Sequence, residues 1–329
     1  MYFRPLAQTG GHRPSEALSL VGGWAWFTHV ERLSRDEPSS ILPASAMPNS
    51  WRERLTQHRP PMARLSFDAP SVMGILNVTP DSFSDGGVHE SVDAALAHAR
   101  NMVREGAHLI DIGGESTRPG AEEIDAATEI GRTQPVIAAI RDAGIETPIS
   151  IDTRKMVVAK AAQAQMINDV SGFTFDSELA GYAAEVQSPV CIMHSQGDPQ
   201  TMQNDPRYDN VLLDVYDWLE NHIARIEALG IPRARIVADP GIGFGKSFEH
   251  NVTLLSRLSL FHGLGTALLI GVSRKGFIGR IGQEPQAHKR GPGSLAVGLH
   301  ALNQGVQIIR AHDVSEHTQG IALWQACMA

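Results

Sequence analysis

Eight short apolar runs, each followed by a helix-length stretch, predict an α/β protein, a (β/α)8 TIM barrel with an N-terminal extension. Two further observations point the same way. The runs are apolar on both sides of the period-two alternation, as strands covered by helices must be. Polar and charged residues also gather after the same end of every run, where such barrels carry their chemistry. The chain has 329 residues, of which 42% are hydrophobic and 19% charged, a balance that excludes a disordered chain and allows a full core. Periodicity alone does not show closure, so an open doubly wound sheet stands beside the barrel at this point.

Residues 1–70 are rich in Pro, Arg and Ser and carry no sustained period. Three of the five tryptophans, Trp24, Trp26 and Trp51, lie there, which predicts that part of the extension packs on the barrel. Arg59-Pro60-Pro61-Met62 reads as a linker or an extended strap. The extension is expected to be a decoration without chemistry, and residues 71–329 to form the barrel. The strand runs are 72–76, 109–112, 149–151, 166–168, 190–193, 236–238, 268–271 and 308–310. Between them, 91–104 keeps Val92, Ala95, Leu96, Ala99 and Val103 on one stripe, and 210–229 does the same with Val211, Val215, Leu219, Ile223 and Ile226. The last helix covers 316–325.

A net charge of -8 excludes a global nucleic-acid footprint, so an anion would need a local cationic cluster. The most apolar stretch, 267–272, is far below the roughly 20 residues of a membrane span. Cys191 and Cys327 are too few for a disulfide framework or a cysteine zinc site. No basic-then-apolar leader opens the chain, and the expectation is a reduced, cytoplasmic protein.

The strand ends supply two kinds of group. Asp152, Asn168 and Asp239 follow strands three, four and six, and suit a flat heterocycle with several N–H donors, because a carboxylate accepts two hydrogen bonds from an amino-amidine edge. Asn77, Arg118, Arg310 and His312 belong to strands one, two and eight, which are neighbours in a closed barrel, and form a patch suited to a phosphate ester. Each group has a bland reading. Asp152 could equally cap the next helix. His194 reads as a hydrogen-bonded barrel residue. Gly243-Phe244-Gly245-Lys246-Ser247 resembles the end of a P-loop, but Pro240 stands where the first glycine belongs, and Phe248 breaks the dinucleotide pattern. The long loops that carry Asp81, Phe83, Thr117 and Arg118 read as covers over a substrate, against a reading as plain surface.

Asn77-Val78-Thr79-Pro80-Asp81-Ser82-Phe83-Ser84-Asp85-Gly86-Gly87 and Gly113-Gly114-Glu115-Ser116-Thr117-Arg118-Pro119-Gly120 together form a double signature. With Asp239–Lys246 as 239–246, and with 271–275 and 310–314, they resemble the dihydropteroate synthases over residues 71–324. The resemblance implies a TIM barrel, usually a homodimer, that joins 6-hydroxymethyl-7,8-dihydropterin diphosphate to p-aminobenzoate with Mg²⁺, releasing pyrophosphate. It implies pterin binding by Asp152, Asn168, Asp239, Lys275 and Met193. Diphosphate binding falls to Asn77, Thr117, Arg310 and His312, with Asn77 also at the metal. The arylamine falls to Phe83, Thr117, Pro119, Phe244 and Ser273. Lys275, Arg118 and Asp81 are the implied catalytic residues, and Asp111 matches an acid near the first loops. Loss of diphosphate would leave a delocalised cation, so an arylamine needs no strong base to attack. A pterin-dependent methyltransferase would not need the diphosphate cluster, and a non-catalytic pterin-binding relative would show a broken site.

Overall fold

The computed structural model describes residues 1–79, 88–116, 121–197 and 202–328. The extension folds first along the chain. Strands β1 (Tyr2–Pro5), β4 (His29–Leu33) and β5 (Ser40–Pro43) make an antiparallel sheet in the order β1-β4-β5. β2 (Leu18–Ser19) and β3 (Trp26–Phe27) pair beside it, and α1 (Asn49–Thr56) closes the unit. Phe3, Leu20, Val21, Phe27, Val30, Met47 and Leu55 form a small core of its own.

Strands β6 (Ser71–Asn77), β7 (Leu109–Gly113), β8 (Ile149–Asp152), β9 (Met166–Asp169), β10 (Val190–Met193), β11 (Ile236–Asp239), β12 (Ala267–Gly271) and β13 (Ile308–Ala311) close into a parallel barrel. This decides against the open sheet. Helices fill the crossovers: α2 (Val88–Arg104), α3 (Ala126–Asp142), α4 (Met156–Ala162), α5 (Leu179–Glu185), α6 (Val211–Ala228), α7 (Phe248–Leu255), α8 (Gly276–Ile281) and α9 (Gly291–Asn303), and α10 (Val314–Met328) follows the last strand. The predicted runs lie within a residue of the observed strands at either end. α6 starts behind Asn210, whose side chain accepts from the Leu213 N–H, as an N-cap should.

The barrel interior has two layers, set by the period of two along each strand. The lower layer is apolar: Met73, Leu109, Met166, Cys191, Val237, Leu269 and Ile308. Met62, Leu65 and Phe67 of the extension plug it from below. Two residues further along the same strands stand Asp111, Asn168, Met193, Asp239 and Arg310, which make the upper layer.

The segment read as a linker or an extended strap is tied to the barrel at Arg59. Arg59 is buried and donates to the carbonyls of Thr266 (3.0 Å), His262 (3.1 Å), Arg54 (2.7 Å) and Gln57 (3.2 Å). Burial, then Arg233 and Arg54 nearby, pulls its guanidinium down to about 10. Trp51 stacks on Tyr216 of α6 at 5.8 Å, and a Cβ at Gly263 would strike the Trp51 ring at 2.1 Å. Trp24 donates to the Leu302 carbonyl at 2.8 Å and meets Trp324 edge-on. The extension therefore has regular structure that the missing sequence period did not foretell. Its strands run to between two and five residues, too short to show a period.

Candidate active site at the C-terminal mouth of the barrel

Each candidate on the described residues stands at the C-terminal mouth. Asp152 and Asp239 are the last residues of β8 and β11, and both are buried. Asp152 does not cap the next helix: Lys155 holds that position, without a side-chain bond. Asp239 accepts from the Gly241 N–H at 2.7 Å, which bends the chain inward. Gly241 needs to be glycine, since its φ is +68° and a Cβ would lie 1.9 Å from the His194 carbonyl. Asn168 donates to Asp111 at 3.0 Å.

Arg310 changes the picture drawn from sequence. Its Nε donates to Asp111 Oδ2 at 2.6 Å and its Nη2 to Asp152 Oδ2 at 2.8 Å. The ring-recognising carboxylates and the phosphate-type cation are therefore one connected cluster, not two separate groups. The physical reason is reach: a guanidinium on β13 spans the mouth to β7 and β8 and finds buried charges needing a partner. His312 and Ser273, implied for different substrates, also meet: the His312 N–H donates to Ser273 Oγ at 3.1 Å and its Nδ1 lies 2.9 Å from that oxygen.

Burial pushes the Asp152 carboxyl up to about 8, against the pull of Arg310 and with the help of Asp111. Burial likewise raises Asp239, although Lys275 opposes it. Lys275 is drawn down to about 8 by burial, with Asp239 resisting. Its Nζ donates to the Ile242 carbonyl and lies 4.5 Å over the Phe244 ring. Burial would lower Arg310, but Asp111 and Asp152 raise it above the usual guanidinium range. Met193 is buried at the end of β10, and Asn77 ends β6 opposite Gly113.

Asp81, Phe83, Thr117, Arg118 and Pro119 lie outside the described residues. His194 fits its structural reading: it is buried, and its Nδ1 is 2.8 Å from Lys246 Nζ. Lys246 also donates to the carbonyls of His194 and Phe244, which accounts for the lysine of the false P-loop. Burial drives both groups well below their usual values.

The sequence reading missed a second charged cluster just outside the mouth. Glu115, Arg154, Lys155 and Glu129 are all buried and joined by ion pairs of 2.8–3.0 Å. Glu115 stands in the Gly113–Gly120 run, so part of the signal was present, but nothing in spacing pairs it with Arg154 or Lys155.

Among the described residues no three or more His, Cys, Asp or Glu side chains are grouped to hold a metal. Asn77 Oδ1 and Asp152 Oδ2 do flank one spot: a Cβ placed on Gly113 would lie 3.7 and 3.6 Å from them. Amide and carboxylate oxygens are the hard donors that Mg²⁺ takes, so the residue types present here would suit that ion.

Comparison with known proteins agrees with the geometry. Residues 73–312 match the family described as pterin binding enzyme, and residues 1–72 lie outside that match. The chain is 45% identical over 268 residues to the dihydropteroate synthase of Escherichia coli (strain K12), spanning 80% of this chain and 94% of the relative. It is 42% identical over 268 residues to that of Neisseria meningitidis serogroup C, with the same shares. Among solved structures it is similar to Yersinia pestis dihydropteroate synthase with a sulfonamide drug complex, at TM-score 0.75 and 44% identity over 80% of this chain and 96% of that one. It is also similar to Xanthomonas albilineans dihydropteroate synthase in complex with 7,8-dihydropteroate, at TM-score 0.73 and 40% identity over 80% and 96%.

Proposed function

The chain belongs to the pterin-binding enzyme family and carries out the dihydropteroate synthase reaction, a transferase step of folate biosynthesis; we propose how its barrel mouth does so. Asp152 and Asp239 receive the amino-amidine edge of the dihydropterin, Asn168 adds an amide, and Met193 lies against the ring. Lys275 donates to the ring's acceptor atoms. Arg310, His312, Asn77 and Thr117 take the diphosphate. Phe83, Thr117, Pro119, Phe244 and Ser273 surround p-aminobenzoate, and Arg118 and Asp81 serve catalysis from the first two loops. The observation that carries this reading is the Asp111–Asp152–Asn168–Arg310 cluster, closed by hydrogen bonds of 2.6–3.0 Å at one end of a barrel.

The chemistry follows from charge. The C–O bond to diphosphate breaks first, in an SN1-like step, and leaves a methylene cation delocalised into the dihydropterin. Asp152 and Asp239 stabilise that cation, and Arg310 stabilises the leaving anion. Of the five N–H groups of Arg310, those at Nε and Nη2 meet Asp111 and Asp152. When Asp152 turns to the pterin, the Nη2 donor is released for a phosphate oxygen. The neutral arylamine then forms the C–N bond and loses its N–H proton to solvent or pyrophosphate. Asn77 would hold a Mg²⁺ brought in with the diphosphate, and the ion would supply neutralisation of the leaving group's charge.

The reading also makes the protein a cytoplasmic homodimer. Cys191 and Cys327 are unpaired, which suits a reducing compartment, and Val252, Ile281 and Leu323 leave apolar side chains exposed on outer helices. No helix among the described residues is long and apolar enough to cross a membrane.

The test is pyrophosphate release from the dihydropterin diphosphate with Mg²⁺, with and without p-aminobenzoate. Dihydropteroate equal to the pyrophosphate released is expected with the arylamine. Slow release without it, with water capturing the cation, supports the SN1-like order. Strictly arylamine-dependent release would replace that order with a concerted displacement.

A further inference from the structure

We propose that Lys246 is a positioning residue for the arylamine: its buried ammonium fixes the glycine-rich turn that presents Phe244, and Tyr208 holds the next residue of the same turn. The inference rests on the functional reading above, which places Phe244 against p-aminobenzoate. The turn joins β11 to α7. Gly243 and Gly245 flank Phe244 at φ of +85° and +60°, so the backbone on both sides of the ring has a glycine's freedom and needs restraint from side chains. That restraint is present. Lys246 Nζ donates to the Phe244 carbonyl at 3.0 Å, and the Tyr208 hydroxyl donates to the Gly245 carbonyl at 2.7 Å. Asn251 Oδ1 accepts from the Gly243 N–H at 2.6 Å. Lys246 Nζ also donates to His194, at 2.8 Å to Nδ1 and 3.3 Å to the carbonyl. His194 directly follows Met193, and its N–H donates to the Asp239 carbonyl at 3.0 Å. One ammonium therefore joins the strand ends that carry pterin contacts to the turn that carries an arylamine contact. The Phe244 ring itself is half-buried, with Lys275 Nζ 4.5 Å from its centroid.

Lys246 is 2% exposed, and its three acceptors are neutral. Burial drives the ammonium well below its ordinary value, and Asp239 offsets this only in part. A buried ammonium bonded to no carboxylate is a costly way to fill space, and an apolar side chain of similar length would fill it at lower cost. What the lysine adds is three directed donors on one atom. They connect segments 52 positions apart, each carrying contacts to a different substrate. Joining two substrates requires that their reacting atoms be aligned, and a misplacement of about 1 Å is enough to cost about 100-fold. Packing alone does not call for a lysine here, whereas holding Phe244 in register with the pterin contacts does.

The experiment is a double-mutant cycle on the full chain, read as the KM for p-aminobenzoate in dihydropteroate formation with Mg²⁺. The wild type and Phe244→Leu come first. A wild type that forms no dihydropteroate, or an unchanged arylamine KM in Phe244→Leu, counts against the functional reading and takes the proposal with it. Lys246→Met is expected to raise the arylamine KM by about tenfold or more, the scale of a lost charged hydrogen bond. The Kd for the dihydropterin diphosphate, measured by calorimetry without arylamine, stays within about twofold. On the Phe244→Leu background Lys246→Met adds no more than about twofold, because the ring it positions is gone. Tyr208→Phe loses one hydroxyl and is expected to raise the same KM about threefold, with the same dependence on Phe244, which keeps the proposal testable if Lys246→Met does not fold. Where Phe244→Leu is effective, an unchanged arylamine KM in either other folded variant overturns the proposal alone. So does a full effect of Lys246→Met on the Phe244→Leu background, or an equal rise in arylamine KM and pterin Kd, each the mark of a general structural role.

Discussion

The two ends of the barrel are built from the same eight strands and do opposite jobs. At the lower end Met73, Leu109, Met166, Cys191, Val237, Leu269 and Ile308 meet Met62, Leu65 and Phe67 of the extension, with no charge between them. At the upper end, two residues along, Asp111, Asn168 and Asp239 are equally enclosed but charged or polar, and the part-exposed Arg310 reaches in to them. One end gains stability from burial. The other spends it, because burial opposes the ionisation of Asp152, Asp239 and Lys275. A step of two residues along a strand, about 6.6 Å, separates packing from chemistry.

The widest separation of the two ends comes from Lys275→Ala. It is expected to lower kcat/KM by more than about 100-fold, the scale of a lost charged contact to substrate. The unfolding temperature should hold or rise, since a lysine drawn down to about 8 binds fewer protons folded than unfolded between there and its ordinary value. Its ionisation therefore burdens the fold at pH 7, and removing it relieves that. Steady-state rates and a thermal melt on one preparation check both halves.

Phe67→Ala reverses the pattern. Truncating a buried aromatic costs about 3–5 kcal/mol of unfolding free energy, while turnover per folded molecule should stay within twofold. A large loss of turnover in the folded fraction would show that the plug shapes the mouth.

A smaller effect sharpens the charge argument. Burial pushes the Asp152 carboxyl up to about 8, so its cluster takes up a proton more readily than a free carboxyl does, and a pterin edge that donates hydrogen bonds needs the carboxylate. Pterin binding should release a proton, and affinity should tighten as pH rises from 6 to 8, by at most about tenfold per unit. The fold itself loses stability over the interval from the ordinary carboxyl value to about 8, because the folded chain holds the extra proton there. Calorimetry in buffers of different ionisation enthalpy reads the proton count. Binding without pH dependence would place the proton elsewhere.

The smallest effect belongs to the extension's outer contacts. Arg35 pairs with Asp214 and Asp217 at 2.7 Å, but it is substantially exposed. Arg35→Ala should cost no more than about 1 kcal/mol and leave turnover unchanged.

Much of this was legible in the sequence, for reasons that can be named. The strands showed because short apolar runs were bounded by turns, and Asp152, Asn168 and Asp239 showed because each ends such a run. The strand-end rule then placed them at one mouth. The partner of Arg310 was not legible: Asp152 lies 158 positions away, and only closure of the barrel brings them together. Glu115 and Lys155 are 40 positions apart and sit on different strand ends, so no spacing rule joins them. The extension's sheet was hidden because two-residue strands such as β2 carry no pattern. Arg59 read as part of a linker or strap because two of its carbonyl partners, Thr266 and His262, lie more than 200 positions away and meet it only in the fold.

The most direct test of the division between the two ends is Asp239→Asn, measured for unfolding temperature and for binding of the dihydropterin diphosphate. Asp239 is buried and its ionisation is opposed by that burial. If the carboxylate is there for the ligand, binding falls by about 100-fold or more, in the range of a lost charged hydrogen bond, and the melt holds or rises. A lower melting temperature with binding intact would make Asp239 part of the scaffold and contradict the account.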